Sequence, residues 1–425
     1  MTGRMAGIRN GVAEILVKPS LIRLLIVAGL FFYAVLTAFI VLTDRPIDYY
    51  TYVIAAYAFM HGQGASLQSE GTYTIIAAKL GIPTFNRYAY PPLTSLVVWP
   101  LTILPLQIGA GVWVLSCGVA SLGAAVLLSR RADAAWKRSV IILASIGFAP
   151  TIGTMSTGQV SAFVLLLTAL GISSWRTRES WTGILLGAGI CLKPLSIALV
   201  WLLAWRARWR ALASATLLSA IVGLAGVAAF GSAATIGQLE FLTSIFGSTL
   251  RLSDPNPETT ENLLGLVTRW LSSNRYGTSL INEPQLALPI YFALALVFGV
   301  AVLYLLWPFG RSRKAVELDA ALLLVTTLLL SPITELNHME IAFVAFPALL
   351  ACSSLRSHAL YQRLGLTIAY FLIEVHALFL KYRVFQTVLL LDLATWGMLI
   401  LWLLLSIEIH SQTKRIVNVN PPSVV

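Results

Sequence analysis

The chain has 425 residues, of which 58% are hydrophobic and only 11% are charged, and its mean hydropathy is +0.82. A soluble core needs far less apolar surface, so the composition excludes a soluble enzyme and predicts a protein that crosses a membrane several times. The net charge of +11 does not indicate a nucleic-acid partner, because the basic residues lie between apolar stretches and form no stripe with interleaved aromatic residues.

The apolar stretches predict an all-α polytopic membrane protein with about twelve transmembrane helices. The first stretch is too long for a cleavable signal peptide and has no obvious small-residue cleavage site, so it is predicted to be an anchor. The predicted crossings cover roughly 22–43, 107–129, 139–151, 158–174, 181–192, 194–205, 211–231, 286–307, 316–332, 337–354, 361–380 and 385–409.

The basic residues predict the orientation. With a cytoplasmic N-terminus, 20 of the 29 basic residues fall in cytoplasmic segments, as the positive-inside rule requires. Both termini are therefore expected in the cytoplasm of a cell-membrane protein. These residues are Arg4, Arg9, Lys18, Arg23, Arg130, Arg131, Lys137, Arg138, Arg176, Arg178, Arg206, Arg208, Arg210, Arg311, Arg313, Lys314, Arg356, Arg363, Lys414 and Arg415.

This orientation divides the chain into three parts. Residues 1–21 form a cytoplasmic N-terminal segment, 22–410 a single transmembrane domain, and 411–425 a cytoplasmic tail that is predicted to be disordered. Two long loops, at about 44–106 and 232–285, lie outside.

The first external loop contains an amphipathic stretch from Asp48 to Gly62 that is rich in aromatic residues. Asp48 is predicted to cap the N-terminus of a helix there, and Gly62 to end it. The aromatic side chains suit a helix in the headgroup layer. The run from Pro91 to Pro105 is predicted to form a second interfacial or re-entrant helix.

The segments 181–192 and 194–205 are each too short to span a membrane of about 30 Å. We expect two short helices that meet at Lys193-Pro194 below the outer surface, because proline disfavours helix in the residue before it. Irregular backbone at that depth is tolerated where it lines a water-filled cavity, so a recessed outward-facing cavity follows. The alternative is one kinked helix of about 24 residues.

Polar groups near lipid often mark a substrate pathway, and the external breaks carry six of them: Asp48, Tyr90, Gln159, Lys193, Asn262 and His338. Asp48 is a candidate general base or a plain helix cap, and Asp44 competes for the role of base. Tyr90 precedes Pro91-Pro92 in a rigid turn that suits a sugar or a lipid. Gln159 is predicted to bind a ligand or cap a helix.

Lys193 needs an anionic partner or a wet cavity, and either a lipid phosphate or a structural salt bridge would serve. His338 could donate a proton or hydrogen bond to a phosphate. Glu374, His376 and Asp392 are predicted to pair with Lys381 or Arg383.

No cofactor or metal site is predicted. The chain has no Gly-x-Gly-x-x-Gly, no P-loop and no Asp-x-Asp pair, and its histidines are scattered. Cys117, Cys191 and Cys352 lie in apolar runs without metal-ligand spacing. Chemistry outside the cell lacks nucleotide sugars, so an activated donor would arrive on a lipid.

Six short motifs occur in order between about residues 44 and 350: Asp48 followed by tyrosines, Tyr90-Pro91-Pro92-Leu93, Thr157-Gly158-Gln159, Lys193-Pro194, Glu261-Asn262-Leu263-Leu264-Gly265, and Ser331-Pro332 through His338. Together they resemble glycosyltransferase family 87, which contains GT-C enzymes similar to mycobacterial polyprenyl-phosphate-mannose-dependent α-1,2-mannosyltransferases.

The resemblance implies a GT-C-like fold in which Asp48 takes the place of the catalytic base, and Lys193 and His338 lie near the donor phosphate. The sequence departs from the family after Ser331-Pro332, where Glu335 and Asn337 precede a single histidine instead of a tryptophan and paired histidines.

The predicted function is transfer of a hexose, mannose first among the candidates, from a polyprenyl-phosphate donor to a lipid-linked or cell-envelope glycan on the outer face. The main alternative is a transporter or lipid flippase. Paired repeats and helix breaks in matching halves, which many transporters show, are not evident in the sequence. A glycan polymerase or ligase would share the topology.

Overall fold

The computed structural model describes residues 19–43, 46–67, 69–82, 84–250, 260–273, 279–307, 316–352, 359–382 and 391–419. Every regular element in these ranges is a helix, so the prediction of an all-α chain is confirmed for them. By their internal contacts the residues divide into two compact units. The first unit comprises Met1–Ser196 and Arg210–Ile245, and the second Ile197–Trp209 and Phe246–Val425. The predicted domain boundaries stay predictions.

Eighteen α-helices follow in chain order over the described ranges. The first nine are α1 Pro19–Thr43, α2 Ile47–Met60, α3 Glu70–Lys79, α4 Pro92–Val98, α5 Leu106–Ser129, α6 Ala135–Gly147, α7 Ala149–Thr157, α8 Ser161–Ser174 and α9 Glu179–Leu192. The other nine are α10 Ile197–Trp205, α11 Trp209–Phe230, α12 Ser232–Leu250, α13 Leu263–Leu271, α14 Ala287–Leu306, α15 Val316–Leu330, α16 Ala345–Cys352, α17 Ala359–Tyr382 and α18 Leu393–Val419. Short 3₁₀ turns cover Gly64–Ser66, Trp99–Ile103, Pro194–Ser196, Pro284–Leu286 and Leu336–Val344.

Five of the described helices are long and apolar enough to cross a membrane: Ser20–Thr43, Leu106–Ser129, Trp209–Phe230, Pro284–Leu306 and Leu393–Thr413. The pair α6 and α7 is bent by 41° at its junction and would make a sixth span if counted as one. Several predicted crossings, such as α8 and α9, have 14 residues each and cover about 21 Å, less than the hydrocarbon thickness. The protein is therefore a multi-helix membrane protein, and the number twelve stays a prediction.

The first unit is organised around α5, which packs against α1, α6 and α8. Close approach depends on small residues. A Cβ on Gly183 of α9 would lie 2.0 Å from the backbone oxygen of Ala211 of α11, so only glycine allows these two helices to touch there.

In the second unit α18 packs against α17 and α15. Trp402 of α18 donates an indole hydrogen bond to the hydroxyl of Thr326 in α15 over 3.0 Å. The buried pair of Arg206 and Asp319, with an N–O distance of 2.5 Å, joins the end of α10 to α15. These contacts hold α10, α15 and α18 together within the second unit.

Candidate active site

Asp48 lies in the first turn of α2, but it does not cap that helix. The helix starts at Ile47 after Pro46, which occupies the cap position, and no side chain caps the N-terminus. The prediction that Asp48 is the N-cap is therefore wrong, because Pro46 fixes the entry of the chain two residues earlier. Gly62 follows the C-terminus with φ +69°, as predicted for the glycine that ends the helix.

The carboxylate of Asp48 is buried, with 6% of the residue exposed. Asn86 donates an amide hydrogen bond to its Oδ1 over 3.4 Å. The backbone of Asn86 is in turn held by Thr51, whose hydroxyl accepts from the Asn86 N–H over 2.9 Å. Since Thr51 lies one turn after Asp48 on α2, the helix positions both the carboxylate and its donor. The sequence motifs gave no signal for Asn86 or Thr51.

Two opposing influences set the proton affinity of Asp48, which lies outside the candidate spans. Burial, the larger influence, raises the pKa of its carboxyl above the usual value. The positive charge of Lys193 acts in the opposite direction, as do hydrogen bonds from Asn86, Gln159 and Thr157. A carboxyl with a raised pKa that keeps polar partners is suited to take up a proton.

Lys193 lies at a helix break, as predicted. The helix α9 ends at Leu192, Lys193 has an extended backbone with φ −154° and ψ 122°, and a 3₁₀ turn begins at Pro194. The alternative of one kinked helix is wrong, because the extended residue interrupts the helical hydrogen bonds. The ammonium group of Lys193 is buried and lies 5.8 Å from the centre of the Tyr90 ring.

Gln159 connects the two charges. Its Oε1 accepts from Lys193 Nζ over 2.6 Å, and its side chain also hydrogen-bonds Asp48. Ser161 supplies a second oxygen to Lys193 Nζ at 3.1 Å. Gln159 is 3% exposed and precedes Val160, the cap of α8, so it is not the helix cap.

Gly158 is what allows Gln159 to reach this position. It ends α7 in the left-handed region, with φ +73°, and a Cβ there would lie 2.9 Å from the Cβ of Tyr49. A side chain at this residue would be both strained and crowded. Trp113 holds the turn by donating to the Gly158 carbonyl over 2.7 Å.

Tyr90 joins the cluster through aromatic contacts. Its ring meets that of Tyr52 edge-on, with the centroids 4.9 Å apart. Burial raises the pKa of Tyr52 well above its usual value, and Tyr90 and Asp48 add to this effect. Tyr52 therefore stays neutral, and its phenol is an uncharged polar group beside Tyr90. The structure thus assembles Asp48, Tyr90, Gln159 and Lys193 in one place, called the Asp48 cluster below.

Asn262 and His338 belong to the second unit. Asn262 caps α13, because its Oδ1 accepts from the Gly265 N–H over 2.7 Å. His338 takes part in a reciprocal cap with Glu335, in which the Glu335 backbone N–H donates to His338 Nδ1 over 3.3 Å. With Nδ1 as acceptor, the neutral imidazole carries its hydrogen on Nε2.

A second cluster of charges was not predicted. Arg269 pairs with Asp392, both buried, and His376 Nε2 lies 3.5 Å from Glu261 Oε1 and 4.0 Å from Asp392 Oδ1. Burial raises the pKa of Glu261, while His376 lowers it. These residues are called the Glu261 cluster below.

Among the described side chains, Asp392 pairs with Arg269 of α13, and His376 lies nearest to Glu261. The predicted pairing of these residues with Lys381 or Arg383 stays a prediction, because the side chain of Lys381 is not among those that the structure describes. Arg383 lies outside the described residues, as does Asp44, the competing candidate base.

A protein metal site needs several donor side chains close together. Over the described ranges, no group of three His, Cys, Asp or Glu side chains could hold a metal ion.

The apolar helices and the buried acid–base groups define a membrane protein with a candidate catalytic site. Residues 88–332 match glycosyltransferase family 87, which covers more than half of the chain, and the chain belongs to that family. The predicted resemblance to this family is confirmed. The match includes Tyr90, Gln159, Lys193 and Asn262, while Asp48 and His338 lie outside it.

A curated relative is the polyprenol-phosphate-mannose-dependent alpha-(1-2)-phosphatidylinositol pentamannoside mannosyltransferase of Mycolicibacterium smegmatis (strain ATCC 700084 / mc(2)155). It is 32% identical to this chain over 144 residues. The alignment covers 32% of this chain and 34% of the relative, so the chain matches about a third of that protein's length.

Proposed function

We propose that the protein transfers a hexose, with mannose as the first candidate, from a polyprenyl-phosphate donor to a lipid-linked or cell-envelope glycan on the outer face of the cell membrane. The family supports a glycosyltransferase, and the activity after which the mycobacterial relative is named motivates the donor class. The observation that carries the proposal is the Asp48 cluster, where a buried carboxyl and a buried ammonium group are joined through Gln159.

The reaction is a single displacement. The acceptor hydroxyl oxygen attacks C1 of the sugar and forms the new glycosidic bond, while its proton passes to the Asp48 carboxylate. The bond between C1 and the phosphate oxygen breaks, and its electron pair leaves with the polyprenyl phosphate. Attack from the face opposite the leaving group inverts the configuration at C1.

The two charged groups of the cluster divide this work. Asp48 acts as general base, a role that its raised pKa favours because the carboxylate holds a captured proton more firmly. Lys193 stabilises the negative charge that develops on the departing phosphate. The Gln159 side chain separates them, which suits a base and a leaving group on opposite faces of the sugar carbon.

His338 and Asn262 are assigned to donor and acceptor binding. The Nε2–H of His338 is the hydrogen that its neutral ring can donate to a phosphate oxygen, since Nδ1 accepts from the backbone of Glu335. Tyr90 supplies an aromatic face for the sugar.

The deciding experiment is donor turnover by purified protein. Incubation with a panel of polyprenyl-phosphate mannose, glucose and galactose, with loss of donor followed by mass spectrometry, should identify one sugar that is consumed. Asp48→Asn serves as the inactive control. Transport of a polyprenyl-linked sugar across vesicles without loss of donor would favour the transporter or flippase and overturn the proposal.

The proposed orientation has its own test. In a variant lacking Cys117, Cys191 and Cys352, single cysteines replace Ser69 and Arg208, and intact cells are treated with an impermeant thiol reagent. Position 69 should be labelled and position 208 protected. The reverse pattern would place the Asp48 cluster on the cytoplasmic side.

A further inference from the structure

A groove runs along a face of α2 that does not carry Asp48. Its volume is about 350 Å³, within the range of small-molecule pockets. All of its walls belong to the first unit. They are α2 with His61 after it, the 3₁₀ turn Trp99–Ile103 with Leu104 after it, Leu80, and the first residue of α5. The lining is chiefly aromatic and aliphatic and includes Val53, Tyr57, Met60, Trp99, Leu104 and Leu106.

The groove lies where the chain enters a membrane span. Leu106 is the first residue of the candidate span Leu106–Ser129. Trp99 and Leu104 are 42% and 38% exposed at the rim. Tryptophan is enriched at the membrane–water interface, so an apolar groove at this level opens toward lipid chains.

A cation stands at the edge of the groove. Lys79, exposed in the last turn of α3, has its ammonium group 5.1 Å from the centre of the Tyr57 ring. His61 stacks on the same ring at 3.9 Å. Within the part of the chain that the structure describes, no carboxylate pairs with Lys79. An apolar groove beside an exposed cation complements an anionic amphiphile.

We propose that this groove binds one acyl chain of an anionic glycerophospholipid, whose phosphate contacts Lys79. The apolar lining selects a hydrocarbon chain over a sugar, and the cation selects an anionic headgroup over a zwitterionic one. The bound lipid packs against Val53 and Tyr57 and braces α2, the helix that positions Asp48. This site is separate from the Asp48 cluster and does not depend on the proposed reaction.

Lipid bound in the groove should protect a cysteine placed there from a thiol reagent. Thr102 is exposed and lines it, whereas Gln63 is exposed in the same unit but not part of the lining. Thr102→Cys and Gln63→Cys are made in a variant lacking Cys117, Cys191 and Cys352, and labelling by a water-soluble maleimide is timed in detergent. The probes are dioleoyl phosphatidylglycerol and dioleoyl phosphatidylcholine.

Phosphatidylglycerol should slow labelling at position 102 and leave position 63 unchanged. Phosphatidylcholine should need about five times the concentration for equal protection, since one basic residue near a lipid surface contributes about 1 kcal/mol. Lys79→Met should abolish this difference. Arg130→Met, which removes an exposed cation at the other end of α5, should preserve it.

Leu104→Trp tests the groove itself, because an exposed rim residue can be enlarged without disturbing the core. This variant should lose protection by both lipids. Equal protection by the two lipids, or none by either, would overturn the proposal. Stronger protection by polyprenyl phosphate than by phosphatidylglycerol would also overturn it, since the groove would then belong to the donor.

Discussion

The Asp48 and Glu261 clusters both bury charged side chains, yet they are connected in different ways. In the Asp48 cluster, neutral Gln159 links the carboxyl to Lys193. In the Glu261 cluster, Arg269 contacts Asp392 directly. Asp392 also accepts from the Thr395 hydroxyl over 2.5 Å and from its backbone N–H over 3.2 Å, which ties the ion pair to the start of α18.

This difference predicts chemistry at the Asp48 cluster and a stabilising role for the Glu261 cluster. A direct buried ion pair neutralises both charges, and removing one partner leaves the other stranded in a low dielectric. In the Asp48 cluster, burial raises the pKa of the Asp48 carboxyl and the charge of Lys193 lowers it, without a direct ion pair between the two groups. We therefore expect substitutions in the Asp48 cluster to change turnover and those in the Glu261 cluster to change folding.

The largest effect should follow Asp48→Asn. The variant loses the proton acceptor, so turnover should fall by roughly 10²–10⁴-fold. Its melting temperature should not fall, because Asp48 caps no helix and a neutral amide is easier to bury than a carboxylate. Donor turnover and thermal unfolding in detergent are measured on one preparation.

Asp133→Asn is the matched control. Asp133 is exposed and pairs with Lys137, so its loss should leave turnover unchanged. Normal turnover in Asp48→Asn together with an inactive Asp44→Asn would move the role of base to Asp44.

Arg269→Met should show the opposite pattern. Removal of the guanidinium strands the buried Asp392 and should lower the free energy of unfolding by about 3–5 kcal/mol. Chemical unfolding in detergent provides the measurement. The double variant Arg269→Met/Asp392→Asn should recover much of the loss, because neither charge is then left alone. An unchanged stability in the single variant would show that the Glu261 cluster does not brace the fold.

The Asp48 cluster could be predicted from the sequence to the extent that its members lie in short local motifs. Lys193-Pro194 indicates a helix break, and Thr157-Gly158-Gln159 indicates a left-handed turn, since each pattern acts on its own backbone. Asn86 has no such pattern. It reaches Asp48 because Thr51 holds its backbone across 35 residues of chain, and no local preference encodes that contact.

The Glu261 cluster escaped prediction for the same reason. Arg269 and Asp392 are 123 residues apart, and nearer basic residues such as Lys381 offered Asp392 a simpler partner. Hydropathy also predicts more crossings than helix length alone supports, because α8 and α9 are apolar yet have only 14 residues each. An apolar composition alone does not distinguish a helix buried in the protein from a helix that spans the membrane.

A smaller effect is expected for Lys193→Met, which keeps the aliphatic stem and removes the charge. If Lys193 binds the donor phosphate, donor affinity should fall by about 1.5–3 kcal/mol, the value of one charge-assisted hydrogen bond. The melting temperature should change little, because Gln159 and Ser161 are neutral partners. The Asp48 carboxyl, whose pKa rises when the charge of Lys193 is lost, can take up a proton and avoid a stranded charge. Lys193→Arg is the control that keeps the charge. A large drop in melting temperature with unchanged donor affinity would make Lys193 structural.

The smallest effect concerns the pH dependence of turnover. In the proposed reaction the base is ionised Asp48. Burial raises the pKa of this carboxyl above 3.8, so kcat/KM should fall with acid at a pH above that value. Lys193→Met removes the charge that lowers this pKa, so its acid limb should move to higher pH, while Lys193→Arg should keep the wild-type position. A limb that moves to lower pH in Lys193→Met would break the link between the two charges. The expected difference in function between the two clusters would then depend on the Asp48 carboxyl and not on its interaction with Lys193.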